Sequence, residues 1–236
     1  MEVASVLKLI KLELKKVNMW GYVRSALIAN LVIMAMLALM IFGTNNEGDR
    51  IFTSFSFTFS MIESLVKVTF IIFAAILIAR FIIDEYKSDT ITLLFMYPIN
   101  RKKLMVAKLF IIVMFTFISI VLSNIFIDFA LCVANNFYNF IPDKLTTSLI
   151  INNLVNIGVY ALTATGMALI PLYFGMRKKS VPATIVSAII IVSIVGSSSN
   201  GHSLNSIIAI PITLAIIGVF IAYLSIRNIE HVDVVK

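Results

Sequence analysis

Six long apolar runs, at about 23–43, 63–83, 104–131, 148–174, 181–196 and 206–226, alternate with short polar stretches along this chain. Crossing the hydrocarbon core of a bilayer takes about 20 apolar residues as a helix. A spanning segment must also pair its own backbone polar groups, because lipid cannot. The pattern therefore predicts an all-α membrane protein with six transmembrane helices, forming one domain over 1–236. The third and fourth runs are long enough to bend or re-enter. In the fourth, Gly158 and Gly166 permit close packing, and Pro171 is placed to bend the inner end.

Two stretches outside the spans have patterns of their own. In residues 1–20, Val3, Val6, Leu7, Ile10, Leu14 and Val17 share one side of a helical wheel, and Lys8, Lys11 and Lys15 the other. This predicts an amphipathic helix lying in the interface, lysines toward anionic headgroups, with Trp20 and Tyr22 marking entry to the bilayer. No small-x-small site follows, and the apolar run is too long for a cleaved signal peptide. Residues 55–60, Phe-Ser-Phe-Thr-Phe-Ser, alternate strictly. A lone strand cannot sit in lipid, so they are expected to form an aromatic interfacial stretch before the second span.

Composition agrees: 60% of the 236 residues are hydrophobic and only 13% are charged, against about 25% charged in soluble domains. The net charge of +7 does not point to nucleic acid. All but three of the 19 Lys and Arg (Arg50, Lys67 and Lys144) lie on the amino end, the 84–103 loop, the 175–180 loop, the tail and adjoining span ends. Positive residues stay inside, so both termini are expected in the cytoplasm and anionic lipid is the expected basic-face partner.

Polar residues inside the spans are the next candidates. Glu63 and Lys67 are spaced for a helical ion pair. Asp128, near Asn124, is either functional, as intramembrane carboxylates often are, or a wetted interfacial group. Asn152, Asn156 and Thr163 share a narrow arc, which suits interhelical hydrogen bonding, substrate contact or dimer contact. Catalytic chemistry is harder to find. His202 and His231 are isolated, and Cys132 has no neighbouring His. No G-x-x-x-x-G-K-[ST] phosphate loop occurs. No catalytic residues and no metal or cofactor are expected in this chain.

The densest charged stretch between apolar runs is 84–103, Asp-Glu-Tyr-Lys-Ser-Asp-Thr-Ile-Thr-Leu-Leu-Phe-Met-Tyr-Pro-Ile-Asn-Arg-Lys-Lys. Ser88 or Asp89 can cap a short helix. Ile91, Leu94, Phe95 and Pro98 fall on one face of it, and Pro98 ends it. An amphipathic helix fixed between two spans can dock a soluble partner; an ordinary connecting loop with charged ends has the same periodicity.

The stretch resembles the intracellular loop of type-2 ABC exporter permeases. That loop has an acidic residue, then Gly-Thr, a Leu-rich turn, Pro, Arg, and Lys seven residues after the Arg. Glu85, Thr90, Leu93, Leu94, Pro98, Arg101 and Lys108 stand at these positions, with Asp89 in place of the Gly. The detailed match covers about two dozen residues, and the six-span layout extends it loosely over the chain. The resemblance implies that 84–103 is a coupling helix and 1–20 an elbow helix. Ile91, Leu94 and Phe95 would meet an ABC ATPase, and Glu85 and Arg101 would fix the lever. It further implies two ATPase copies binding ATP and Mg, a second permease, identical or related, and residence in a bacterial cell membrane. Small permeases of this kind resemble those for lantibiotic immunity, bacitracin resistance or export of amphipathic peptides. An ATP-independent channel or assembly protein and a membrane-embedded enzyme are the alternatives.

Overall fold

The computed structural model describes residues 2–16, 19–47, 54–87, 101–138, 141–143, 145–196, 198–199, 202–203 and 209–227. The described chain is mostly helical, with short turns and one ladder of two residue pairs. In order come α1 (Glu2–Lys16), α2 (Met19–Glu47), α3 (Phe55–Ile78), a π-helical turn (Ala79–Ile83) and α4 (Asp84–Lys87). Then follow α5 (Arg101–Tyr138), α6 (Thr147–Met167), α7 (Ile170–Lys178), α8 (Val181–Gly196) and α9 (Ala209–Arg227). Between α8 and α9, β1 (Ser198–Ser199) pairs antiparallel with β2 (His202–Ser203).

Among the described residues, five helical stretches are long and apolar enough to cross a membrane: Met19–Ile41, Phe55–Ile83, Lys102–Tyr138, Thr147–Lys178 and Ile210–Arg227. Val181–Gly196 is apolar but shorter. Its 16 residues would rise about 24 Å at 1.5 Å each, short of a ~30 Å hydrocarbon core. The chain is a multi-pass membrane protein.

The alternating stretch 55–60 forms the first turns of α3, continuous with the second span. Phe55, Phe59 and Ile62 are buried with Thr58, at i, i+4, i+7 and i+3 of one helix face. Ser54 starts the helix: its Oγ accepts from Phe57 N–H at 3.3 Å, in the manner of an N-cap. An α-helix that satisfies its own backbone thus reconciles the period-two sequence with lipid.

The third and fourth runs differ. α5 is one uninterrupted helix of 38 residues, which continues through Asn135–Tyr138 beyond the third apolar run. The fourth run is broken: Ala168 and Leu169 form a turn between α6 and α7, with Pro171 in the first turn of α7. Proline is tolerated there because the first-turn N–H groups lack intrahelical partners anyway.

The chain forms two compact units. One comprises Met1–Met19, Phe70–Phe117 and Leu162–Lys236; the other comprises Trp20–Thr69 and Ile118–Ala161. In the first, α7 and α8 pair as a hairpin, α9 packs on α7, and the π turn packs on both members of the hairpin. Glycines permit the closest approaches. A Cβ at Gly166 would lie 2.6 Å from Ala215 Cβ, and one at Gly218 would strike the Gly166 carbonyl. A Cβ at Gly175 would strike Thr184 Oγ1 and lie 2.9 Å from the Ile83 side chain. Gly158, expected to serve close packing as Gly166 does, has nothing within 4 Å. In the second unit Phe55, Phe59, Ile62, Val66, Ile120, Ile127 and Ile157 are buried.

Candidate functional site

Of the residues assigned to the coupling segment, Thr90, Ile91, Leu94, Phe95 and Pro98 lie outside the described residues. Arg101 opens α5, and Glu85 is in α4. Glu85 is held where three elements meet. The π turn precedes it, with Asp84 N–H donating to the Ala79 carbonyl, five residues back. Such a turn inserts one residue into the helical register, and π turns often mark functional sites. Lys108, on α5, reaches back: its Nζ donates to the Phe81 carbonyl at 3.0 Å and to Glu85 Oε2. From α1, Lys16 Nζ donates to Glu85 Oε1 at 2.9 Å, and Glu13 Oε2 stands 3.9 Å from Lys108 Nζ.

The network thus has two acids and two bases and is neutral when all four are ionised. Its centre is dry: the Lys108 side chain is 4% exposed, whereas Lys16 is 55% exposed. Ionised groups can stay in such a place only when paired and hydrogen-bonded. Burial pushes the Glu85 carboxyl up, but hydrogen bonds from Lys108 and Lys16, with their charges, outweigh it and hold Glu85 below the ordinary carboxylate range. The hydrogen bond to Glu85 raises Lys16 against the opposing effect of burial.

A depressed folded-state pKa means stability that is complete above the unfolded value and lost as pH falls through the folded one. Glu85 therefore contributes fully above the ordinary 4.5 and loses its contribution at more acid pH. In Glu85→Gln this part of the acid sensitivity is expected to vanish, read as a shallower fall of Tm below pH 4.5 than in the wild type. Parallel curves for the two proteins would contradict the assignment.

Sequence reasoning missed most of this network. Lys108 entered only by its place in a motif, and Glu13 and Lys16 not at all. A signal existed: Glu13 sits at the edge of the apolar face of α1, three residues from Ile10 and seven from Val6. A carboxylate there asks for a basic partner. Among the described side chains of α1, Glu13 is buried while Leu12 and Leu14 are exposed.

The intramembrane candidates have different surroundings. Asp128 is buried and accepts from Asn153 Nδ2 at 2.8 Å. Asn152 and Asn156 are exposed, one residue before Asn153 and three residues after it. Thr163 is buried and lines an apolar groove of about 890 Å³ with Val113, Phe117, Gly166, Ile216 and Phe220. Asn153, adjacent to the expected Asn152, is thus the partner that the wheel did not single out. Lys67 Nζ lies over the Tyr160 ring, 4.6 Å from its centroid.

Residues 9–196 match the model of a family described as ABC-2 family transporter protein. The chain is similar to a protein of Bacillus subtilis (strain 168) named "Uncharacterized protein YcbO". The two are 43% identical over 227 residues, covering 96% of this chain and 100% of that protein. No solved structure matches the chain. With its multiple apolar helices and its matched span, the chain belongs to the ABC-2 family of transporter proteins.

Proposed function

We propose that this chain is the transmembrane permease subunit of an ATP-driven exporter, moving amphipathic or antimicrobial peptides out of the membrane or cytoplasm. The observation that carries this reading is the clamp on Glu85, which ties the start of the 84–103 segment to α1 and α5 through buried charge. A segment anchored in this way passes a push on to the helices that hold it; a solvated loop does not. In this reading α1 is the elbow helix, α8 completes six spans, and both termini are cytoplasmic. Two copies of an ABC ATPase bind ATP and Mg, and a second permease, identical or related, completes the path. ATP closes the ATPase pair, the 86–100 segment moves as a lever, and the spans open outward. Family membership supports the ATPase partnership.

Affinity purification of the tagged full chain from gentle detergent tests it. A nucleotide-binding ATPase is expected in stoichiometric amount, and Ile91→Asp with Leu94→Asp is expected to abolish its recovery while permease levels hold. Full recovery of the ATPase with both charges in place sinks the coupling role. Export that persists with no ATPase bound points instead to an ATP-independent channel or assembly protein.

A further inference from the structure

The second unit holds a buried polar cluster that coupling does not use. Glu63 and Lys67 come from α3, Asn124 and Asp128 from α5, and Asn153 and Tyr160 from α6. Glu63, Lys67, Asn124 and Asp128 are each more than nine-tenths buried. Glu63 feels the charges of both Asp128 and Lys67. Asn124 and Asp128 are one turn apart on the same face of α5. Tyr160 and Cys132 also feel the charge of Glu63 and of Asp128, respectively.

Donors and acceptors do not balance. Asn124 Nδ2 donates to the Ile120 carbonyl at 2.9 Å, and Asn153 Nδ2 donates to Asp128 Oδ2. Lys67 is drawn over the Tyr160 ring. Three buried oxygens are left with no hydrogen bond: Glu63 Oε1, Asp128 Oδ1 and Asn124 Oδ1. Two carboxylates against one ammonium also leave a surplus negative charge. A buried acceptor without a donor costs about 1–3 kcal/mol, and more when it is charged.

The missing partner must bring positive charge and several donors together. A single proton serves one acceptor. A water brings two donors and no charge. A divalent ion such as calcium takes 6–8 oxygens, and the described residues hold no group of three or more His, Cys, Asp or Glu fit for a metal. A primary ammonium carries one positive charge and three donors, one for each orphan oxygen. We propose that Glu63, Asp128 and Asn124 form an intramembrane site for a primary ammonium group. Resting on the exporter reading, its carrier is the lysine or amino terminus of an amphipathic peptide whose apolar side remains in lipid.

Equilibrium binding to the full chain and its co-purifying partners in lipid nanodiscs tests this. The probes are a lysine-bearing amphipathic peptide, its fully N-acetylated form, octylammonium and octanol. Wild-type protein is expected to prefer each amine over its uncharged counterpart by at least tenfold, beyond the preference of empty nanodiscs. Glu63→Gln and Asp128→Asn, near-isosteric replacements, are expected to bring that preference to within twofold of empty nanodiscs. Gel filtration and Tm verify that both variants fold; should either fail, Asn124→Leu, which removes one acceptor without removing charge, is expected to lower the preference several-fold. An amine preference equal in wild type and folded variants overturns the site, and so does its absence in the wild type. Octylammonium selectivity without any peptide binding keeps the site and overturns the peptide reading. Peptide-stimulated ATP hydrolysis that ignores acetylation does the reverse.

Discussion

Replacing Lys108 with methionine is expected to destabilise the protein by about 3–5 kcal/mol, the usual consequence of removing one partner of a buried ion pair. The ammonium serves Glu85, the Phe81 carbonyl and, at 3.9 Å, Glu13. Without it two carboxylates face one another, and the remaining base, Lys16, is 55% exposed and largely in water. Glu85→Gln should be milder, because Lys108 keeps Glu13 and the Phe81 carbonyl. Combining the two changes should recover part of the Lys108→Met loss, since the uncompensated Glu85 charge disappears with its partner. Thermal unfolding of the four proteins in one lipid system measures the coupling. A Lys108→Met loss below about 1 kcal/mol, the range of exposed pairs, would show that the network is peripheral. ATPase recovery from the same variants is expected to fall with the clamp.

The second large effect is expected at Gly218. A leucine there should reduce stability by about 3 kcal/mol, the upper part of the usual range for overpacking. The obstacle is backbone: any Cβ at Gly218 meets the Gly166 carbonyl, and a carbonyl within a helix cannot swing aside as a side-chain tip can. α6 and α9 would have to separate, exposing Ala215 and the groove beside it to competing lipid. Gly158→Ala is the control. Its surroundings are open, and alanine favours the helix, so Tm should hold or rise slightly. Equal losses at Gly158 and Gly218 would remove the helix contact as the explanation.

The two glycines also show where reading along the chain stops. Gly158 and Gly166 are indistinguishable by spacing within one apolar run, yet only the second meets a neighbour, because contact depends on which helix passes that side. The Asn152-Asn153 pair has the same ambiguity. A wheel groups Asn152 with Asn156, but Asn153 is the one that reaches Asp128. The break at Ala168-Leu169 was half legible: Pro171 announces an interruption, and its tolerance in the first turn of α7 puts the break before it rather than at it. The helical conformation of 55–60 was not legible because period-two alternation and a helix face can share residues; Phe55 and Phe59 satisfy both.

Hydropathy by itself determined that the chain crosses a membrane repeatedly as helices, since lipid offers no partner to backbone N–H and C=O groups and a run of about 20 apolar residues has no other stable state. It also fixed where the charged stretches lie; Glu85 and Lys108 became candidates only through the resemblance of their stretch to a known family's loop. Only the tertiary structure decided that Glu13, Lys16, Glu85 and Lys108 close into one neutral network, and that three oxygens around Asp128 lack donors. The reason is range. Segregation of apolar from polar residues is written in consecutive positions, whereas an ion pair or an orphan acceptor depends on a few ångströms between residues far apart in the chain.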